Sequence, residues 1–198
     1  MPTTIVWFRQ DLRLADNPAL AEAAARGSVV PVYILDDATP GEWAIGGAGR
    51  WWLSHSLEVL HAGLRELGSR LLRLEGQPLE ALERAIAATE ADGVVWNRMY
   101  EPWAIERDTD IKRRLKGRGL AVWSTNGSLL FEPWTIATQN GDPYKVYTPF
   151  SKTCLKAQPP REPLDTPRKL HTPKVVWQVE NEFVQLSEAT AGWAQGLH

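Results

Sequence analysis

A chain of 198 residues, 43% of them hydrophobic, can bury one core of ordinary size and leave a tail. Its 22 basic and 24 acidic residues nearly cancel, which argues against a domain that holds nucleic acid by electrostatics alone. The single cysteine, Cys154, excludes an internal disulfide and fits a reducing cytosol; no secretory pattern opens the chain, and no apolar run reaches the ~20 residues of a membrane span.

Thr4-Ile5-Val6-Trp7-Phe8 runs without polar alternation, as a strand covered on both faces does. Asp16-Asn17-Pro18 then opens a helix over 17–26, with Gly27 placed to end it in the left-handed conformation. Residues 29–35 form a second strand, and 36–49 a loop carrying Pro40 and four glycines. The longest helix spans about 50–67, where Leu53, Leu57, Leu60, Leu64 and Leu67 share one stripe. A third strand (69–74), a helix (78–91), a fourth strand (93–96), a helix (102–118) and a fifth strand (120–123) follow. Strands alternating with helices in this way predict an α/β fold, a five-stranded parallel sheet of Rossmann-like type with helices on both faces. Short strands are expected at 129–131 and 135–139 and a short helix from Tyr147 to about residue 157. Five prolines between 158 and 173 read as a linker or a surface strap, and Trp177, Phe183 and Trp193 as anchors that pack against this domain or another.

Each apolar run ends in a polar cluster: Arg9-Gln10-Asp11, Asp36-Asp37, Glu75-Gly76, Asn97-Arg98 and Asn126-Gly127. In open parallel sheets ligands sit beyond these strand ends. Ten tryptophans suit core packing, or stacking on a flat conjugated ligand. Gly46-Gly47-Ala48-Gly49 fails as a dinucleotide fingerprint, since its sixth place is Trp52 and the first strand–helix turn holds no glycine. His55 and His61 are six apart on a helix and Cys154 is isolated, so neither a metal set nor a catalytic thiol is read, and no catalytic residue is assigned.

Residues 6–17, Val-Trp-Phe-Arg-Gln-Asp-Leu-Arg-Leu-Ala-Asp-Asn, resemble the N-terminal signature of the DNA photolyase and cryptochrome family. Arg50-Trp51-Trp52-Leu53, Gly68-Ser69-Arg70-Leu71, Trp96 to Pro102, Gly141 to Phe150 and Trp193 to Leu197 are similar to family segments in the same order. The resemblance implies a bacterial-type pyrimidine-dimer photolyase, of which this chain is the antenna-binding α/β domain: 1–130 its core, 131–157 an extension, 158–198 an interdomain linker. It further implies that FAD and the flipped-out dimer in damaged DNA belong to a C-terminal helical domain that this chain lacks, so that the chain alone does not repair DNA. Alternatives are the same domain of a cryptochrome photoreceptor, or a free-standing nucleotide- or flavin-binding module.

The antenna implied is a folate or a deazaflavin. Folate-binding members carry Asn and Glu where this sequence has Trp103 and Ala104. Deazaflavin-binding members match Arg50 but carry Asp where Met99 stands, so neither pattern is complete. Leu35, Asp36, Asp37, Arg50, Met99, Glu101 and Trp103 are expected to form the pocket. Arg50 could instead pair with an acidic neighbour, and Glu101 could cap the fourth helix. Lys152 and Lys156 are candidates for DNA phosphates, with solvated lysines as the plainer reading. The protein is expected in the cytoplasm, without a membrane partner.

Overall fold

The computed structural model describes residues 1–182. The chain runs β1 (Thr3–Phe8), α1 (Pro18–Arg26), β2 (Ser28–Leu35), a short 3-10 turn (Gly41–Trp43) and α2 (Gly47–Glu66). Then come β3 (Leu72–Glu75), α3 (Pro78–Thr89), β4 (Gly93–Asn97), α4 (Pro102–Gly117), β5 (Ala121–Thr125) and α5 (Tyr147–Lys156). The five strands form one all-parallel sheet in the order β3-β2-β1-β4-β5, with β1 in register from Thr3 opposite Ser28 to Phe8 opposite Tyr33. The expected fold class is thus found.

Side chains alternate across each strand, so the continuous apolar runs feed two cores at once. Val6, Phe8, Tyr33, Leu35 and Val95 pack against Leu20 and Ala23 of α1 and Leu53, Leu57, Leu60 and Leu64 of α2. Ile5, Trp7, Ile34, Val94 and Trp96 pack against Leu82 and Ala85 of α3 and Ile111 and Leu115 of α4. The leucine stripe of α2 is its buried face, as its spacing predicted.

Several local expectations are corrected. Helix α2 starts at Gly47, three residues before the expected start, because the glycines stand at its N-terminus, where amides lack helical partners anyway. Gly27 is not left-handed: its φ is 160°, and it is glycine because a Cβ would lie 2.4 Å from the Pro2 carbonyl oxygen. Residues 129–131 and 135–139 form turns and bends instead of strands, held by side chains such as Asn126, which accepts from the Leu129 N–H at 2.9 Å. Asx turns of this kind compete with extended structure for the same backbone groups.

The proline-rich segment is a strap on this domain. Asp16 N–H donates to the Leu164 carbonyl (2.7 Å), Leu170 N–H to that of Leu67 (2.9 Å), and Val29 N–H to that of His171 (2.7 Å). Val176 is fully buried, Trp177 lies under the Arg65 guanidinium at 5.0 Å, and Glu182 accepts from the Glu75 N–H on the outer edge of β3 (2.6 Å). Phe183 and Trp193 lie outside the described residues.

Candidate functional site

The strand order reverses between β1 and β4, the crevice where open α/β sheets usually seat a ligand. Here side chains occupy its floor. Asn97 donates from Nδ2 to Asp11 Oδ2 (2.5 Å) and Asn17 Oδ1 (2.8 Å), and its Oδ1 accepts from Thr125 Oγ1 (2.6 Å) and the Ala19 N–H (3.2 Å). Asn17 Oδ1 accepts from the Leu20 N–H as the N-cap of α1 (3.1 Å). The amides at this helix start, which in nucleotide-binding folds receive a phosphate, are therefore committed to side chains. Gly127 closes over the network so tightly that a Cβ there would meet Asn97 Cγ at 2.5 Å.

To one side lies a cavity of about 500 Å³ between the ends of β1 and β2, the 36–46 loop, the first turns of α2, and α4. Of the candidate residues Leu35, Asp36, Met99 and Trp103 line it, joined by Trp7, Tyr33, Trp43, Trp52 and Arg107. Trp43 and Trp52 are 79% and 70% exposed at its edge. Asp37 and Arg50 do not line it; they pair with each other at 2.6 Å. Glu101 faces a second pocket of about 300 Å³ over the crevice, with Arg9, Gln10, Asp11 and Asn97. It stands at the N-cap of α4 without a side-chain capping bond, its Oε2 accepting from the Tyr100 N–H at 3.1 Å.

Charge in the cavity is concentrated on its inner wall. Asp108 accepts from Arg9 Nη1 (2.7 Å) and from Arg107 Nη2 (2.9 Å). Arg107 Nη1 also stands 3.6 Å from Asp36 Oδ2. Burial lowers the pKa of Arg9, and Asp108 opposes the shift. Burial pushes the Tyr33 phenol well above its ordinary range, so it stays protonated. The guanidinium carbons of Arg9 and Arg107 lie 4.8 and 4.9 Å from the centroid of the Trp7 ring, and Arg107 is also 4.9 Å from that of Trp103.

Three buried polar atoms of this wall have no hydrogen-bond partner among the described residues: the Trp7 indole N–H, Arg9 Nε and Asp36 Oδ2, the last held only by the 3.6 Å ion pair to Arg107. The other Asp36 oxygen accepts from the Ala38 and Thr39 N–H groups (3.2 and 2.9 Å), which fixes the carboxylate's direction. Buried polar atoms are rarely left unsatisfied, so a donor and an acceptor waiting on one cavity wall, among aromatic rings, fit a flat heteroaromatic ligand. Sequence reading missed Trp7 and Arg107. Trp7 was absorbed into the apolar strand, but Arg107 was within reach, since it lies one helical turn beyond Trp103 on the same face.

Lys152 and Lys156 are exposed on α5, a helix with no buried residue. On and before this helix Val146, Tyr147 and Leu155, and in the preceding turns Leu130, are exposed to between 63% and 85%. Among the described residues no group of three or more His, Cys, Asp or Glu is placed to hold a metal, and no helix is long and apolar enough to cross a membrane.

Sheet order, with helices on both faces and a lateral cavity beyond the strand ends, defines a Rossmann-like α/β domain. The family model described as DNA photolyase matches residues 4–168, and the chain belongs to that family, whose N-terminal α/β domain has this fold. It is 44% identical to a deoxyribodipyrimidine photo-lyase of Agrobacterium fabrum over 86% of this chain and 35% of that protein. It is 38% identical to cryptochrome-2 of Arabidopsis thaliana over 98% of this chain and 34% of that protein. The crystal structure of a bacterial class III photolyase from Agrobacterium tumefaciens superposes with a TM-score of 0.89 at 40% identity, covering 98% of this chain and 40% of that one. The chain thus spans about a third of the length of these curated relatives.

Proposed function

We propose that this chain is the antenna domain of a light-dependent DNA photolyase that repairs cyclobutane pyrimidine dimers, and that its chromophore sits in the cavity beside β1 and β2. Family members bind FAD and an antenna chromophore. The observation that carries the assignment to this cavity is an unsatisfied acceptor, Asp36 Oδ2, and an unsatisfied donor, the Trp7 indole N–H, on one aromatic wall. The chromophore's chemistry is absorption of near-ultraviolet or blue light and transfer of the excitation to the flavin. Leu35, Met99 and Trp103 hold the ring by packing, Asp36 accepts from a ring N–H, and Arg107 faces its carbonyl groups. Asp37 and Arg50 shape the covering loop, and Glu101 serves the polar part of the ligand from the adjoining pocket. A folate pterin and a deazaflavin both present an N–H edge next to a carbonyl.

FAD and damaged DNA fall to a helical domain, reached through the linker at 158–198. The exposed apolar side chains of Leu130, Val146, Tyr147 and Leu155 suit contact with such a domain, and relatives extend well beyond the matched segment. Lys152 and Lys156 stand on the same extension, where they would meet phosphates at the domain boundary. The cryptochrome reading draws on the 38% identity to a plant cryptochrome over nearly the whole chain.

Denaturing the purified parent protein and recording the spectrum of what is released tests the assignment. A folate or a deazaflavin spectrum supports it and says which; a protein that never carries either refutes it. Dimer repair by the parent protein under light separates photolyase from cryptochrome. The isolated chain with added FAD is expected to give no turnover.

A further inference from the structure

Trp7 lines the cavity, yet it is only 2% exposed and packs edge-on against Trp96 at 5.6 Å between centroids. An indole in contact with an excited ring system is a hazard to light harvesting, because it is the most readily oxidised of the common aromatic side chains. One electron leaves the indole, the excited ring accepts it, and the return of that electron restores both partners while the excitation is lost as heat.

We propose that Arg9 and Arg107 guard Trp7 against this loss, their guanidinium charges making removal of an electron from the indole unfavourable. Both charges lie within 5 Å of the ring centroid, and Coulombic effects are large in a wall that excludes water. Asp108 is shared between the two guanidinium groups and Asp36 pairs with Arg107 at 3.6 Å, so the guard rests on the two guanidinium groups lying over the ring and not on a net charge of the cluster. A cation lies over each of the neighbouring rings as well. Lys112 Nζ lies 5.6 Å from the Trp96 centroid, and Arg107 serves Trp103 as well as Trp7. Single cations also lie over Trp123, Trp134 and Trp177 elsewhere, so what sets Trp7 apart is that two guanidinium groups share one ring on the cavity wall.

The inference rests on the chromophore reading, and the experiment keeps the two apart. Methenyltetrahydrofolate and 5-deazariboflavin are titrated separately into the full chain and followed by fluorescence anisotropy; failure of both to bind counts against the chromophore reading alone. The fluorescence lifetime of the bound probe is then compared at saturation in wild type, Arg107→Gln and Arg107→Lys. Removing the charge is expected to shorten the lifetime at least about two-fold, while the lysine variant stays near wild type and Trp7→Phe in the Arg107→Gln background restores it. Equal lifetimes in the glutamine and lysine variants, or a shortening that Trp7→Phe leaves in place, overturn the guard. A ligand-free arm applies even without binding: brief oxidation by flash-generated tris-bipyridine ruthenium(III), with peptide mass analysis of Trp7. Oxidation of Trp7 is expected to rise several-fold in Arg107→Gln and not in Arg107→Lys; no rise, or the same rise in both, overturns the proposal.

Discussion

Arg50 and Asp37, both candidate ligand contacts in the sequence, contact each other: Arg50 Nη2 lies 2.6 Å from Asp37 Oδ1, and Arg50 Nε donates to the Ile45 carbonyl at 3.1 Å. The pair ties the 36–46 loop to the start of α2 and is partly exposed, so it contributes at most about 1 kcal/mol. Arg50→Ala is therefore expected to weaken chromophore binding by less than about five-fold. Asp36→Ala removes an ionised acceptor from the cavity wall and is expected to cost about 10- to 100-fold, the equivalent of a charged hydrogen bond. Equilibrium titration of both variants decides it, and a larger loss for Arg50→Ala would move the ligand to the Asp37–Arg50 side of the loop.

The network around Asn97 gives a stability prediction. Leucine at this position leaves the Asp11 carboxylate, the Thr125 hydroxyl and the Ala19 N–H with one partner fewer in a buried crevice. Unfolding in urea should show a loss of about 3 kcal/mol or more, with Thr125→Val, which deletes a single bond, near 1 kcal/mol. A similar, small loss in both variants would mean that water enters the crevice and replaces the amide.

Much of the fold was legible because each local signal agreed with the next. The run at 4–8 could be covered only from both sides, Asn17-Pro18 could start only a helix, and the leucines from 53 to 64 could face only one way. The errors arose where tertiary contact decides. Glycines at 46–49 resembled a loop until they proved to be a helix start, and Gly27 answers to a carbonyl 25 positions away in sequence, that of Pro2. The site was half legible for the same reason. Polar residues after the strands announced the rim, but Trp7 enters the wall from inside a strand that looked like core alone. Asn17 and Asn97, which read as cap and loop, take up the floor of the crevice that the topology alone would have offered to a ligand.

The strap carries a pH dependence. Asp16, with φ at 48°, accepts from Arg161 Nη1 (2.5 Å) and the Leu164 N–H (3.2 Å), and the Arg161 hydrogen bond holds its carboxyl below the usual range. A carboxylate with a depressed pKa stabilises the docked strap fully above the ordinary aspartate pKa of about 4, and that contribution is lost as pH falls through the lower, docked value. Hydrogen exchange at Leu164, corrected for intrinsic rate, should therefore quicken below about pH 4 in wild type. Asp16→Asn tolerates the left-handed backbone but carries no charge, so its exchange should be faster at neutral pH and flat across that range. A strap whose protection ignores both pH and the substitution is held by its backbone bonds alone.

Two glycines separate steric from conformational need. Gly68 has φ at 86°, and a Cβ there would find the Leu170 carbonyl oxygen at an ordinary 3.7 Å, so only the left-handed backbone penalises a side chain. Alanine at 68 should cost about 1–2 kcal/mol, and asparagine, which visits this region more readily, noticeably less. Gly27 is extended and any residue could adopt its backbone, but a Cβ would press on the Pro2 carbonyl oxygen that accepts the Ser28 N–H at 2.9 Å. Alanine at 27 must push Pro2 away and disturb the first rung between β1 and β2, an overpacking cost of about 1–3 kcal/mol. Asparagine there is larger and should cost more than alanine, reversing the order seen at 68. Urea midpoints of the four variants test the pair of claims, and the same rank order at both positions would refute the distinction.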